Sequence, residues 1–440
     1  MAGPVIGMAA WIVGMYALIM VVPARLGAPL LLLLSIGLAA WRLIATASTG
    51  PPGTDTPRGA SSATKEFFNT AVRASALASA GLLGFGIASM PSIEARTATV
   101  MTTANHDASF YISASEWAID HTVWTKPSFG AGPADSVDGP ANAAALQTAD
   151  RDLRIGDILV VASTSTLTGI RAHEFWTIQI GSWLLYAPGS VLVAALCLGR
   201  RERRAITMAA FGGLVLSSSS LVFAQLYNQN SASVLGIVLM PMALGAVFTW
   251  IDDDEERYPL GLAAMSFAAA LGTYSEYTSI VAFGLIGAVA ARRPSRLLPS
   301  LGRSVVLGVV ALAMAPLVWW RLVHALLFTA SVDSGAFPSQ YRHLTTELLV
   351  GKLTGAAWPS EGVVSLTATL LIGAIIVVGL AAALVMQRAR FLWIGLAIGT
   401  AATLWYITSV AENDYSHQRA IEIVQPLALM VSVTGSSTTS

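Results

Sequence analysis

The chain has 440 residues, 55% of them hydrophobic and 11% charged, with 25 basic and 25 acidic side chains and no formal net charge. Its mean hydropathy is +0.65, whereas a soluble domain carries about 25% charged residues, so most of this chain faces a medium that does not hydrate charge. Charge balance argues against a nucleic-acid partner, which needs a basic face. The single cysteine, Cys197, lies in an apolar run. It forms neither an internal disulfide nor a thiolate metal site and reads as a small buried residue.

A spanning helix needs about 20 apolar residues, and about 12 runs approach that length. They are 4–23, 28–46, 74–91, 176–198, 205–225, 232–250, 258–273, 277–291, 304–325, 363–386, 391–410 and 420–435. No basic segment precedes the first run, so it reads as a span rather than a cleaved signal. Residues 1–46 form a two-helix membrane segment. Residues 47–72, with Pro51, Pro52 and Pro57 among Ser, Thr and Gly, read as a flexible cytoplasmic linker. The membrane core is 73–435, followed by a short tail at 436–440. Residues 258–291 read either as two short spans or as one broken re-entrant hairpin, because Thr273 to Tyr277 is polar.

Basic residues in short loops orient the chain. Arg200, Arg201, Arg203 and Arg204 follow the fourth run; Arg292, Arg293, Arg296 and Arg303 follow the eighth; Arg388 and Arg390 follow the tenth. Alternation places all three loops on one side, which the rule makes cytoplasmic. Both termini are then cytoplasmic, and the long loops 92–175 and 326–362 are extracytoplasmic. The run Asp252 to Glu256 falls on the cytoplasmic side, where a solvated turn is favoured over a metal site.

The richest polar segment is Asn105 to Trp124, in the first long loop. At helical period Phe110, Ala114, Trp117, His121 and Trp124 share one face, and Ser109, Ser113, Glu116 and Asp120 the other. That is an amphipathic helix with aromatic residues to press into lipid headgroups. His121, on the aromatic face, reads as interfacial rather than as a ligand. Asp107 starts the helix and is either its cap or a general base at the membrane surface. His106 and Glu116 are neighbouring candidates for substrate contact. A divalent cation at Asp107 or Glu116 is compatible with the pattern and not required by it; no His or Asp pair has metal-ligand spacing. A second candidate site is Tyr274 and Glu276, at the outer end of two short spans. Glu276 reads as a functional acid at a membrane boundary or as part of a water-facing break. Arg342, His343 and Arg419 lie in outer loops, where an arginine clamps a phosphate or simply decorates the surface.

This pattern resembles the integral-membrane glycosyltransferases of the GT-C superfamily, especially the many-spanning actinobacterial type. The resemblance rests on an acidic motif beside an amphipathic helix in the first outer loop, Asn105-His106-Asp107 through Trp124. Short spans with a polar break, Tyr274-Ser275-Glu276-Tyr277, and a second outer loop complete it, over about residues 73–435. It implies an all-α polytopic membrane protein of about 12 transmembrane helices, GT-C-like, with a partly helical first outer loop. It also implies a transferase of the cell envelope that moves a sugar from a polyprenyl-phosphate donor to a glycan, lipid or protein acceptor, with membrane lipids around it. Asp107 then matches the base, and Arg342 and Arg419 are candidates for holding the phosphate. Such a donor needs no soluble cofactor. The rival classes are a transporter or lipid flippase, expected to carry more intramembrane charge than Glu276 and Arg321, and a membrane scaffold or glycan polymerase.

Overall fold

The computed structural model describes residues 2–48, 60–99, 107–125, 154–197, 202–217, 230–252, 260–275, 294–331 and 394–399, with a few isolated positions besides. Among the described residues the regular elements are all helical. In chain order they are α1 (Ala2–Leu18), α2 (Ala24–Ser48), α3 (Ala60–Ala95), α4 (Asp107–Asp120), α5 (Gly156–Thr168) and α6 (Ala172–Ser182). After a 3-10 turn at Trp183–Tyr186 come α7 (Ala187–Cys197), α8 (Glu202–Ser217), α9 (Ser231–Asp252), α10 (Leu260–Thr273), α11 (Pro294–Met314) and α12 (Pro316–Ser331).

Five stretches are long and apolar enough to cross a membrane: Ala24–Arg42, Asn69–Ala95, Ala172–Cys197, Ser231–Ile251 and Leu297–Met314. The described part is therefore that of a helical membrane protein. Its helices divide by environment. In the Ser231–Ile251 stretch 94% of the most apolar window is buried, against 17% in Ala24–Arg42. Helix α9 is the central post of the bundle. Helices α2 and α11 turn Leu33, Ile36, Leu38, Val305 and Val309 outward, as a lipid-facing helix does, since hydrocarbon imposes no penalty on exposed apolar side chains.

Where helices cross closely, small residues let the backbones approach. A Cβ on Gly245 of α9 would stand 2.6 Å from Ala194 Cα of α7. Gly245→Ala is therefore expected to push these helices apart and cost about 1–3 kcal/mol, as overpacking does. Thermal unfolding in detergent reads it as a lowered midpoint.

Three boundaries differ from the sequence reading. The second half of the expected linker is helical, because α3 begins at Ala60; Ala60, Ala63, Lys65 and Glu66 are good helix formers once Pro57 is passed. The expected span at 304–325 is two helices, α11 ending at Met314 and α12 starting at Pro316. A proline disfavours helical geometry in the residue before it and suits the first position of a new helix. Lastly, residues 1–46 do not stand apart from the core. Val5, Ala9, Ile12, Met15 and Tyr16 of α1 are buried in the same apolar cluster as α5, α9 and α10.

Candidate functional site

Two features lie side by side where α1, α4, α5 and α12 meet: a buried polar cluster and an amphipathic cavity. The cluster begins with Tyr16 of α1, which is fully buried. Its hydroxyl donates to the Gly272 carbonyl at the end of α10 (2.5 Å) and accepts from the Ile155 amide (2.9 Å). Ile155 caps α5 without offering a side-chain acceptor, so Tyr16 satisfies one of the amides that every helix start leaves open. Gly156 allows this fit: a Cβ there would stand 2.8 Å from Thr273 Oγ1 and 2.9 Å from the Gly272 carbonyl oxygen.

Asp157 follows in the first turn of α5 and is 0% exposed. Ser231 Oγ donates to its Oδ2 at 2.5 Å, while Oδ1 has no hydrogen-bond partner among the described residues. Burial raises its pKa from 3.8 to about 6, against the opposing pulls of the Ser231 hydrogen bond, the Arg154 charge and the amides at the helix start. Desolvation of the carboxylate outweighs these stabilising interactions. Arg154 packs its guanidinium 4.5 Å from the centre of the Tyr274 ring and reaches the Tyr111 hydroxyl at 3.4 Å. Tyr111 in turn donates to Asn230 Oδ1 (3.3 Å). The same oxygen accepts from the Ser233 amide (3.1 Å), capping α9 in the way an N-cap asparagine does.

The cavity is small, about 40 Å³, and lies against the Ile155 to Leu159 turn. Its walls are apolar, with Ile19, Ile158, Leu159 and Trp117, and its polar groups include His121 and Arg321. Arg321 stands on α12 and is only 4% exposed. His121 follows the last residue of α4. Its ring stacks on Trp117 at 3.6 Å between centroids, 6° from parallel, and its Nδ1 lies 3.1 Å from the Trp117 carbonyl oxygen. This end of α4 is pinned to the turn between α1 and α2. Trp124 Nε1 donates to the Met20 carbonyl (2.9 Å) and the Val123 amide to that of Ile19 (3.3 Å). An exposed Arg25–Asp120 ion pair at 3.0 Å adds little.

The expected site residues are distributed as follows. Helix α4 starts at Asp107, as the sequence pattern implied. Its aromatic side meets protein in part: Trp124 is exposed, Ala114 is buried, and Trp117 and His121 line the cavity. The apolar turn of α5 supplies the surface they pack on. Glu116 accepts from the Ala172 amide (2.9 Å) and stands 3.7 Å from His173 Nδ1, so it caps α6. Tyr274 is buried under Arg154, away from any surface. His106, Glu276, Arg342, His343 and Arg419 lie outside the described residues. Among the described residues no three His, Cys, Asp or Glu side chains are grouped to hold a metal ion.

Sequence reasoning passed over Arg154 and Asp157, which it left inside a long loop. The signal was Arg154-Ile155-Gly156-Asp157 directly before the apolar run Ile158 to Ala162, a charged helix start that leads into a core. No protein-family model matches the chain, and neither a curated protein nor a solved structure matches it significantly.

Proposed function

We propose that the chain is a membrane glycosyltransferase that moves a sugar from a polyprenyl-phosphate donor to a cell-envelope glycan, lipid or protein acceptor at the extracytoplasmic face. The observation that supports this reading is the pairing at the small cavity: apolar side chains beside one buried arginine, the two surfaces that a lipid-linked phosphate needs. As the bond to the sugar breaks, negative charge grows on the phosphate oxygens, and a fixed guanidinium in a dry site stabilises it. The base belongs to the α4 region, and the family resemblance offers Asp107.

Membranes carrying the chain, supplied with hexosyl and pentosyl farnesyl phosphates labelled in the sugar, are expected to pass label to envelope acceptors. Asp107→Asn tests the residue that the family resemblance offers: a base there loses transfer at least about 100-fold with its carboxylate. Transfer by this variant at the parent rate removes Asp107 from the mechanism. If no label moves with the parent chain, the transferase reading fails.

A second reading, transport or lipid flipping without chemistry, is favoured by one observation. Asp157 and Arg321 are charged groups inside the helical core, and such groups mark transport paths as well as reaction sites. Movement of intact labelled donor across the bilayer, without a new glycoside, would be its signature.

A further inference from the structure

We infer that His121 Nε2 is the group in the Arg321 cavity that accepts the acceptor hydroxyl's proton. The inference rests on the transferase reading above and assigns the base within the same site.

The tautomer follows from the hydrogen bond. The Trp117 carbonyl can only accept, so the ring nitrogen 3.1 Å away, Nδ1, carries the hydrogen in the neutral imidazole. The lone pair is then on Nε2. Two restraints hold the ring in place: that bond and the parallel stack on Trp117. Base and clamp share one cavity, since His121 and Arg321 both line it. Asp107 is placed differently. At 1.5 Å of rise per residue it starts α4 about 10 Å along the axis from Ala114, the first α4 residue on the cavity wall, and about 21 Å from His121. A base must come within hydrogen-bond reach of the proton it removes. A phosphate at Arg321 and its sugar are served more directly by His121.

The step balances. The acceptor O–H bond breaks, its proton goes to Nε2, and its electron pair forms the new bond to the anomeric carbon. The bond from that carbon to the phosphate oxygen breaks, and its pair stays on the phosphate, facing Arg321. The imidazolium returns its proton to water.

The test uses the full chain in membranes with the labelled farnesyl-phosphate sugars. His121→Ala is expected to lose transfer at least about 100-fold, and added imidazole is expected to restore at least about a tenth of it. A purely structural role would not respond to imidazole. His121→Gln, which keeps side-chain bulk and polarity, is expected to bind farnesyl phosphate within about twofold of the parent and still fail to transfer. That result separates a lost base from a lost fold. Parent-level transfer by either variant overturns the inference and leaves the transferase reading standing. Loss that imidazole does not restore, with binding intact, also overturns it. Failure of the parent chain to move any sugar sinks both.

Discussion

Arg321→Gln is expected to weaken farnesyl phosphate binding by about 10- to 150-fold while leaving farnesol binding unchanged. A hydrogen bond to a charged group contributes about 1.5–3 kcal/mol, and tenfold in affinity is about 1.4 kcal/mol. The buried position of Arg321 puts it toward the upper end, because its 4% exposure leaves little water to screen the charge. Arg321→Lys is expected to recover only part of the loss, since an ammonium cannot make the paired contacts of a guanidinium. Quenching of tryptophan fluorescence measures both ligands, with Trp117 on the cavity wall. Farnesol is the control for the apolar walls. Equal loss of both ligands points to collapse of the cavity, and an unchanged farnesyl phosphate affinity removes the arginine from phosphate recognition.

Asp157→Asn is expected to stabilise the protein at pH 8 and to leave it unchanged at pH 4. Burial holds the native carboxyl at about 6, against 3.8 for an ordinary aspartate. Between those two values the folded chain keeps a proton that the unfolded chain has released. Stability therefore falls as pH rises through this window and stays at the lower level above it. The full drop is about 3 kcal/mol. Asparagine cannot ionise, yet its carbonyl still accepts from Ser231, so the variant escapes the drop. Thermal midpoints in detergent from pH 4 to pH 8 read the effect as two curves that meet at acid pH and part above it. Parallel curves would show that Asp157 does not titrate in this range.

Much of the helical layout was legible in the sequence, because lipid-facing and core helices share one requirement, a long apolar run. The stretches near 28–46, 74–91, 176–198 and 232–250 correspond to candidate spans Ala24–Arg42, Asn69–Ala95, Ala172–Cys197 and Ser231–Ile251. Asp107 marked the start of α4 in the sequence, because a carboxylate favours the amide end of a helix. Breaks inside apolar runs were harder to see. Ala315-Pro316 divides one run into two helices, and the 3-10 turn at Trp183–Tyr186 interrupts another. Hydropathy averages over both, since neither needs a polar residue. The candidate site was less legible still. His121 and Arg321 are 200 positions apart in sequence number, on elements that periodicity describes one at a time. Only the fold, which sets α4 against α5 and α12 against α1 and α10, puts them on one cavity. Asp157 was obscured for a related reason. A run of 13 residues is too short to read as a span, so α5 looked like loop, although its first turn is among the most buried parts of the bundle.

Tyr16 also dictates an order of assembly. It is made with the first helix, yet its hydroxyl bonds to Ile155 and Gly272, 139 and 256 positions later. At a synthesis rate of about 5–20 residues per second, the ribosome needs roughly 10–50 s to deliver the second partner. Through that interval the Tyr16 hydroxyl lacks its full pair of native partners. The polar cluster at Tyr16 is therefore completed only after Gly272 has been made.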